Sequence, residues 1–276
     1  ENVSNLKIGD GVTAYYYLTC GSCRWCKADR ETLCENLTGN VGRDVDGGYA
    51  EFIKLPANSF IKLPEGLDYK AHPAEVGVVT DAVATPLKLI NRSRIKPGET
   101  VAVIGAGGGL GLNMVAVAAW AKADIIAVDV RPEKFAACYE AGAQLSLDAS
   151  DGDLTAALLD STDGQGADVI IDFVANKKTL EASVQALGKG GRLAILGGGG
   201  LPNNFPILGN WIKNGEREIL GSRYATRREV GHALDLVANG ELWPIVTETC
   251  RLEEAEELHK RLEDGLVTGR AALRVG

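Results

Sequence analysis

Four of the six cysteines fall in one short stretch, as Cys20-x2-Cys23-x2-Cys26-x7-Cys34. Four thiolates this close can complete a tetrahedral zinc site with Zn–S near ~2.3 Å; a site whose four positions are all Cys is closed, hence structural rather than catalytic. The turns between them can aim backbone N–H groups at the sulfurs and offset the thiolate charge. Three alternatives compete. Disulfides need an oxidising compartment, and adjacent C-x-x-C pairs close strained rings. An iron–sulfur cluster wants a shorter last interval and a following Pro, whereas Glu35 follows Cys34. A redox C-x-x-C wants a thioredoxin-like helix start. Structural zinc fits best, and it implies a reducing, cytosolic setting.

A second group is built from glycine. The run Val101-Ala102-Val103-Ile104 leads into Gly105-Ala106-Gly107-Gly108-Gly109-Leu110-Gly111. With Leu at 110 the spacing is G-x-x-G-x-x-G through Gly105, Gly108 and Gly111. The physical demand is that of a dinucleotide loop: a sharp turn, a backbone that approaches a pyrophosphate without Cβ atoms in the way, and a helix packed closely on a strand. The helix N-terminus then offers free N–H groups and partial positive charge to the phosphates. Asp129 ends the next strand-like run, near the position of the acid that binds the ribose 2′-hydroxyl. Its charge repels a 2′-phosphate and favours NAD over NADP. Arg131 is a mild counter-signal, because a nearby arginine can accommodate that phosphate. A P-loop is excluded, since no Lys-Ser/Thr follows the glycines.

The remaining candidates are quieter. His72, His232 and His259 have no cysteine or acid at metal spacing; the last two lie on expected exposed helices. None is expected to be a ligand or an acid–base group. Cys138 and Cys250 read as small core residues.

These groups need elements to hold them. The 276-residue chain has 45% apolar and 24% charged residues and a net charge of −8, the composition of a globular protein. With no basic run, it is a poor candidate for nucleic acid or an anionic membrane. No apolar stretch is long enough to span a bilayer. Residues 1–80 read as short strands and loops, with strand-like runs at Val12 to Leu18, Tyr49 to Leu55 and Phe60 to Leu63. From about residue 100, short apolar strands alternate with helices, the pattern of parallel βαβ units. Strands apolar throughout belong to a sheet covered on both faces. The expectation is a doubly wound parallel α/β unit over 83–221. It is flanked by 1–82, carrying the cysteine lobe 20–34, and 222–276, which fold together as one discontinuous domain. The chain starts at Glu1 and runs straight into a strand-like pattern, so it reads as one lacking its beginning.

The cysteine lobe, the glycine loop and the acid at the next strand's end, taken in this order, resemble the zinc-dependent medium-chain alcohol dehydrogenases. The resemblance covers the whole chain. Lys7-Ile8-Gly9-Asp10, Asp46-Gly47-Gly48-Tyr49-Ala50-Glu51, Lys96-Pro97-Gly98-Glu99 and the Ala-Gly-Gly-Gly-Leu-Gly form of the loop are all similar to that family. It implies a Rossmann-type domain inserted in a mainly β, GroES-like catalytic domain. It also implies NAD, structural zinc and a catalytic zinc with Cys, His and a third ligand. The first two of those ligands would lie upstream of this chain. The third matches Asp81, four residues ahead of Thr85; a helix-cap role for Asp81 is the alternative. Arg270, after Gly269, matches an arginine near the pyrophosphate. The turn Leu196-Gly197-Gly198 is expected to meet the nicotinamide with its backbone.

The implied activity is reversible oxidation of a primary or secondary alcohol by hydride transfer to NAD, with zinc as Lewis acid. A polyol or amino-alcohol dehydrogenase of the same superfamily is the alternative, and an inactive cofactor-binding fragment is another. The expected partner is a small-molecule alcohol or carbonyl. A homodimer or homotetramer and a cytoplasmic location are also expected. The particular alcohol is not legible.

Overall fold

The computed structural model describes residues 3–197, 202, 204, 205 and 207–276; Gly198 of the expected nicotinamide turn lies outside them. The chain divides into two compact units, residues 1–85 with 224–276, and residues 86–223.

The 86–223 unit is built on six strands: β1 (Thr100–Ile104), β2 (Asp124–Asp129), β3 (Leu145–Asp148), β4 (Ala167–Asp172), β5 (Leu187–Ile195) and β6 (Glu218–Gly221). Their spatial order is 3-2-1-4-5-6 and every neighbouring pair is parallel. This is the doubly wound order, in which the chain reverses direction across the sheet between β1 and β4. The apolar strands behave as expected. Val101 to Ile104 and Val169 to Ile171 are buried on both faces of the sheet. The helix Gly109–Trp120 is apolar all round and buries Leu112, Met114 and Val115. A helix without a polar stripe has to be covered widely, and this one packs on β1, β2 and the helix Phe135–Glu140.

One charged side chain is sealed into this unit. Arg192, 7% exposed, opens the packed part of β5. Its Nε donates to Ser93 O at 2.9 Å, Nη1 to Glu99 Oε1 and Asp168 O, and Nη2 to Glu99 Oε2 at 2.7 Å and Arg94 O. All five guanidinium N–H donors are thereby used, two of them on one carboxylate in the fork geometry that arginine favours. Burial raises the Glu99 carboxyl, but the Arg192 pairing and the Lys96 N–H together outweigh it and hold the group below its ordinary value.

Among the described residues the other unit has three two-stranded sheets: Val12–Ala14 with Phe60–Lys62, Tyr17–Leu18 with Gly39–Asn40, and Val246–Arg251 with Arg270–Arg274. Tyr15 is fully buried and donates its hydroxyl to Ala225 O at 2.8 Å. The Arg227 guanidinium lies 4.4 Å over the same ring, and the Arg227 N–H donates to the buried Glu31 carboxylate. Arg227 also begins the helix Arg227–Ala238, closed by a capping box between Thr226 and Glu229.

Three segments differ from expectation. Tyr49 to Leu55 forms bends rather than a strand. Its aromatic and β-branched content favours a ladder only where a partner is present, and Tyr49 and Phe52 are exposed. The end of the 1–80 stretch, read as short strands and loops, and the junction after it form the helix Pro73–Val78, a π-turn Val79–Val83 and the helix Ala84–Ser93. Pro73 occupies the first turn, where its missing N–H costs nothing. The connection before β6, which its Pro202 and Pro206 mark as a loop running to Trp211, contains a further short helix, Gly209–Gly215.

Candidate active site and metal centre

The cysteine lobe is local structure. A turn at Cys20–Cys23 enters the short helix Arg24–Lys27, and Glu31–Leu33 forms a 3-10 turn before Cys34. The four sulfurs lie within 4.8 Å of one another, with Sγ–Sγ separations of 3.9 Å for Cys20–Cys26, 3.5 Å for Cys23–Cys26 and 3.6 Å for Cys20–Cys34. A tetrahedron with ~2.3 Å metal–sulfur bonds has edges of about 3.8 Å, and a disulfide would need ~2.05 Å. All four thiols are free. The Cys23 N–H points at Cys20 Sγ (3.3 Å) and the Cys20 N–H at Cys34 Sγ (3.4 Å). Backbone N–H groups of Ser22 and Cys23 pull the Cys20 thiol down to about 5, while burial pushes Cys26 up to about 12. The donor set, spacing and N–H contacts fit zinc.

In the nucleotide unit the loop turns at Gly105, whose φ of +81° is open to glycine. The N–H groups of Gly105 and Ala106 both donate to Val128 O, at 2.8 and 3.0 Å, tying the end of β1 to β2. A Cβ on Gly111 would stand 2.0 Å from Gly105 O and 2.7 Å from Ala106 Cα. Helix and turn therefore touch through backbone alone. Gly111→Ala is expected to lose NAD binding and to destabilise the unit by at least the roughly 1–3 kcal/mol of an overpacked core, read by cofactor titration and thermal unfolding. The helix begins at Gly109 with Gly108 as its N-cap and no side-chain cap. Gly109 and Leu110 thus lie in its first turn, where N–H groups have no partner within the helix.

Asp129 ends β2 and is 9% exposed. Its Oδ2 accepts from the Gly107 N–H at 2.7 Å and its Oδ1 from the Arg131 N–H at 3.1 Å. Gly107, the glycine that the G-x-x-G-x-x-G spacing skips, is thus the one joined to the acid. A Cβ there would meet Lys134 Cδ at 2.6 Å and Asp129 Oδ2 at 3.0 Å. Lys134 is buried beside it, a neighbour that no periodicity in the sequence marks. Arg131 Nη1 stands 3.8 Å from Glu133.

The ends of β1, β4 and β5 lie in register, Ile104 beside Asp172 and Asp172 beside Ile195. Leu196 and Gly197 follow directly, and both their N–H groups donate to Asp172 O, at 3.1 and 3.2 Å. A Cβ on Gly197 would lie 2.7 Å from Phe173 O. Asp172 itself was not legible as a site residue. It is fully buried, its Oδ1 accepts from Val174 and Ala175 N–H, and burial pushes its carboxyl up.

Asp81 lies on the π-turn Val79–Val83. Such turns are rare and concentrate at functional positions. Its Oδ1 accepts from Thr85 Oγ1 at 3.0 Å, and its Oδ2 pairs with the Arg270 guanidinium. The structure thus brings Asp81 and Arg270 together. Apart from the four cysteines, no group of three or more His, Cys, Asp or Glu gathers with metal-binding geometry among the described residues. Asp81 also borders a 360 Å³ cavity together with Thr80, Tyr16 and Tyr224. His72, His232 and His259 are exposed. His72 packs edge-on to Trp243, and His259 bonds the Tyr49 hydroxyl through Nε2. Cys138 is buried and Cys250 partly so. No described helix is long and apolar enough to cross a membrane.

Comparison with known proteins adds to this geometry. Residues 109–239 match the family described as zinc-binding dehydrogenase, and residues 1–65 the alcohol dehydrogenase GroES-like domain. An alcohol dehydrogenase of Geobacillus stearothermophilus is 37% identical over 281 residues, covering 100% of this chain and 78% of that protein. An NAD-dependent alcohol dehydrogenase of Sulfurisphaera tokodaii is 32% identical over 276 residues, covering 99% and 77%. Among solved structures, the alcohol dehydrogenase of the hyperthermophilic archaeon Aeropyrum pernix matches with a TM-score of 0.88 at 32% identity, over 98% of this chain and 77% of that one.

Proposed function

This chain belongs to the zinc-dependent medium-chain alcohol dehydrogenases, and on that premise we propose that it oxidises a primary or secondary alcohol to the aldehyde or ketone, reversibly, by hydride transfer to NAD. The observation that carries the cofactor choice is the state of Asp129. Each carboxylate oxygen accepts one backbone N–H and keeps a second lone pair. That leaves two acceptors, fixed beside the glycine loop, for the two hydroxyls of an adenosine ribose. A 2′-phosphate would meet a nearly buried negative charge instead. The nearest arginine, Arg131, leans on Glu133.

The chain's own residues divide the work. Free N–H groups at the start of the helix Gly109–Trp120 take the pyrophosphate. Since the Leu196 and Gly197 N–H groups are occupied by Asp172, that turn offers carbonyl oxygens, which suit the amide N–H of a nicotinamide. Asp81 contributes one ligand where a catalytic zinc takes three protein ligands, so the described residues alone do not complete that site. When bound there, zinc supplies Lewis acidity that stabilises an alkoxide. Arg270, paired with Asp81, balances the carboxylate where no cation is bound, and a guanidinium released from that pair could meet a phosphate.

Asp129→Gly tests the reading. The lost charge-assisted hydrogen bonds are worth about 1.5–3 kcal/mol. NAD affinity should therefore fall roughly 10- to 150-fold, and NADP should gain relative to NAD. Titration of both cofactors, with alcohol-dependent NADH absorbance beside it, reads the outcome. Equal affinity for NAD and NADP in the unmutated protein would count against the assignment.

A further inference from the structure

Taking a carboxylate out of water is costly unless its lone pairs are met, and Asp172 is fully buried. It ends β4, in register with the end of β1. Between these two strands the order of the sheet reverses, and there a doubly wound sheet opens the crevice that holds its ligand. The Asp172 Oδ1 accepts the Val174 N–H at 2.9 Å and the Ala175 N–H at 2.7 Å, which curls residues 173–175 into a tight turn. Ala175 stands inside it at φ +50°, a region that residues with a Cβ enter at a cost, and is itself fully buried. Strained backbone persists where its surroundings over-determine it. Here the carboxylate holds one end of the turn, and the capping box between Asn176 and Thr179 closes the other.

The same residue holds a second turn. Its carbonyl oxygen accepts the N–H groups of Leu196 and Gly197, so the side chain and main chain of one residue anchor both segments, 173–175 and 196–197. The segments touch through atoms that leave no slack. A Cβ on Gly197 would stand 2.6 Å from Ala175 Cβ, 2.7 Å from Phe173 O and 2.8 Å from the Val174 carbonyl carbon. Relaxation of the first turn is therefore passed to Leu196 and Gly197, whose carbonyl oxygens suit the nicotinamide amide. Asp129 lies elsewhere, on β2, which is separated from β4 by β1, and it serves the adenosine half.

We propose that Asp172 is a positioning residue for the nicotinamide half of the cofactor, acting through these two turns. The proposal rests on the reading that the 196–197 turn meets the nicotinamide. ADP carries only the adenosine and the pyrophosphate. Calorimetric titration of the full chain with NADH and with ADP therefore isolates the other half of the cofactor without turnover. Thermal unfolding checks that each variant is folded. The unmutated protein should bind NADH more tightly than ADP. Asp172→Ala should narrow that ratio roughly 2- to 12-fold, the worth of one hydrogen bond, by weakening NADH while ADP keeps its affinity. Asp172→Asn, which keeps an acceptor for the Val174 and Ala175 N–H groups, should restore the ratio. Gly197→Ala, which forces the turns apart directly, should narrow it as Asp172→Ala does. If Asp172→Ala fails to fold, Asp172→Ser decides, since a serine hydroxyl closes such turns more weakly. A merely structural role would weaken NADH and ADP by the same factor. If Gly197→Ala narrows the ratio while the Ala and Ser variants of Asp172 leave it unchanged, the proposal falls and the nicotinamide turn stands. Equal binding of NADH and ADP by the unmutated protein, or a ratio that no variant moves, overturns the reading of the turn as well.

Discussion

Cys23→Ser is expected to empty the metal centre and to lower the melting temperature of the unit built from residues 1–85 and 224–276. Three thiolates leave the tetrahedron open to water, and serine is a poor zinc ligand at neutral pH. Structural zinc contributes about 10–16 kcal/mol of apparent binding free energy in isolated zinc-finger peptides. Here the loss is shared with the apolar packing around Tyr15, so a part of that figure should appear in unfolding. It should reach beyond the lobe, because the Glu31 carboxylate that receives the Arg227 N–H lies inside it. Acid should mimic the substitution, since zinc ligands must be deprotonated and metal affinity falls with pH. Metal analysis of the freshly purified, reduced protein should give about one zinc per chain, and none after Cys23→Ser. Iron, or no metal in the unmutated protein, would remove the assignment.

The second large effect is expected at Arg192→Met. Removing one partner of a buried ion pair typically costs about 3–5 kcal/mol, because the other charge is left uncompensated. In this case the carbonyls of Ser93, Arg94 and Asp168 lose the Arg192 donors, and Glu99 is left with the Lys96 N–H. Urea unfolding of the 86–223 unit should show the loss, and Arg192→Met combined with Glu99→Met should recover part of it. The pH dependence has a definite sign. With its folded carboxyl held low, Glu99 adds stability that is present above the ordinary carboxylate value of about 4.3. That contribution is lost as pH falls through the native value. A change below about 1 kcal/mol for the single variant would mean that the five hydrogen bonds are replaced by water.

What could be read from the sequence was what is local. The four cysteines stand out as a candidate metal centre because all four fall in one loop. The nucleotide unit is legible because the loop, the helix and Asp129 follow one another within a single βαβ turn. Its strands stand out because burial on both faces makes them apolar throughout. What escaped depends on distant partners. Arg192 reads as the charged start of a strand, and only the contacts to Ser93, Glu99 and Asp168 make it a cornerstone. Tyr224 reads as a junction residue, and its place in one layer with Tyr15, Tyr16, Tyr17 and Thr80 is set by residues more than 140 positions earlier. Tyr49 to Leu55 failed in the other direction: it carries strand-like residues but has no strand to pair with among the described residues. The π-turn at Asp81 has no sequence period of its own.

The bonds from Tyr15 to Ala225 and from Arg227 to Glu31 span 210 and 196 residues. On a ribosome adding about 5–20 residues per second, Tyr15 is made roughly 10–40 s before its acceptor. The whole 86–223 sheet is synthesised in that interval. The cysteine lobe can also capture its metal early, since its ligands arrive almost together. The tyrosine layer cannot close until the start of the last fifth of the chain, with Ala225 and Arg227, has emerged. During that wait its rings are exposed to water, to chaperones and to other nascent chains. Yield during expression should therefore depend on how fast the C-terminal segment follows, more than on how stable the finished protein is.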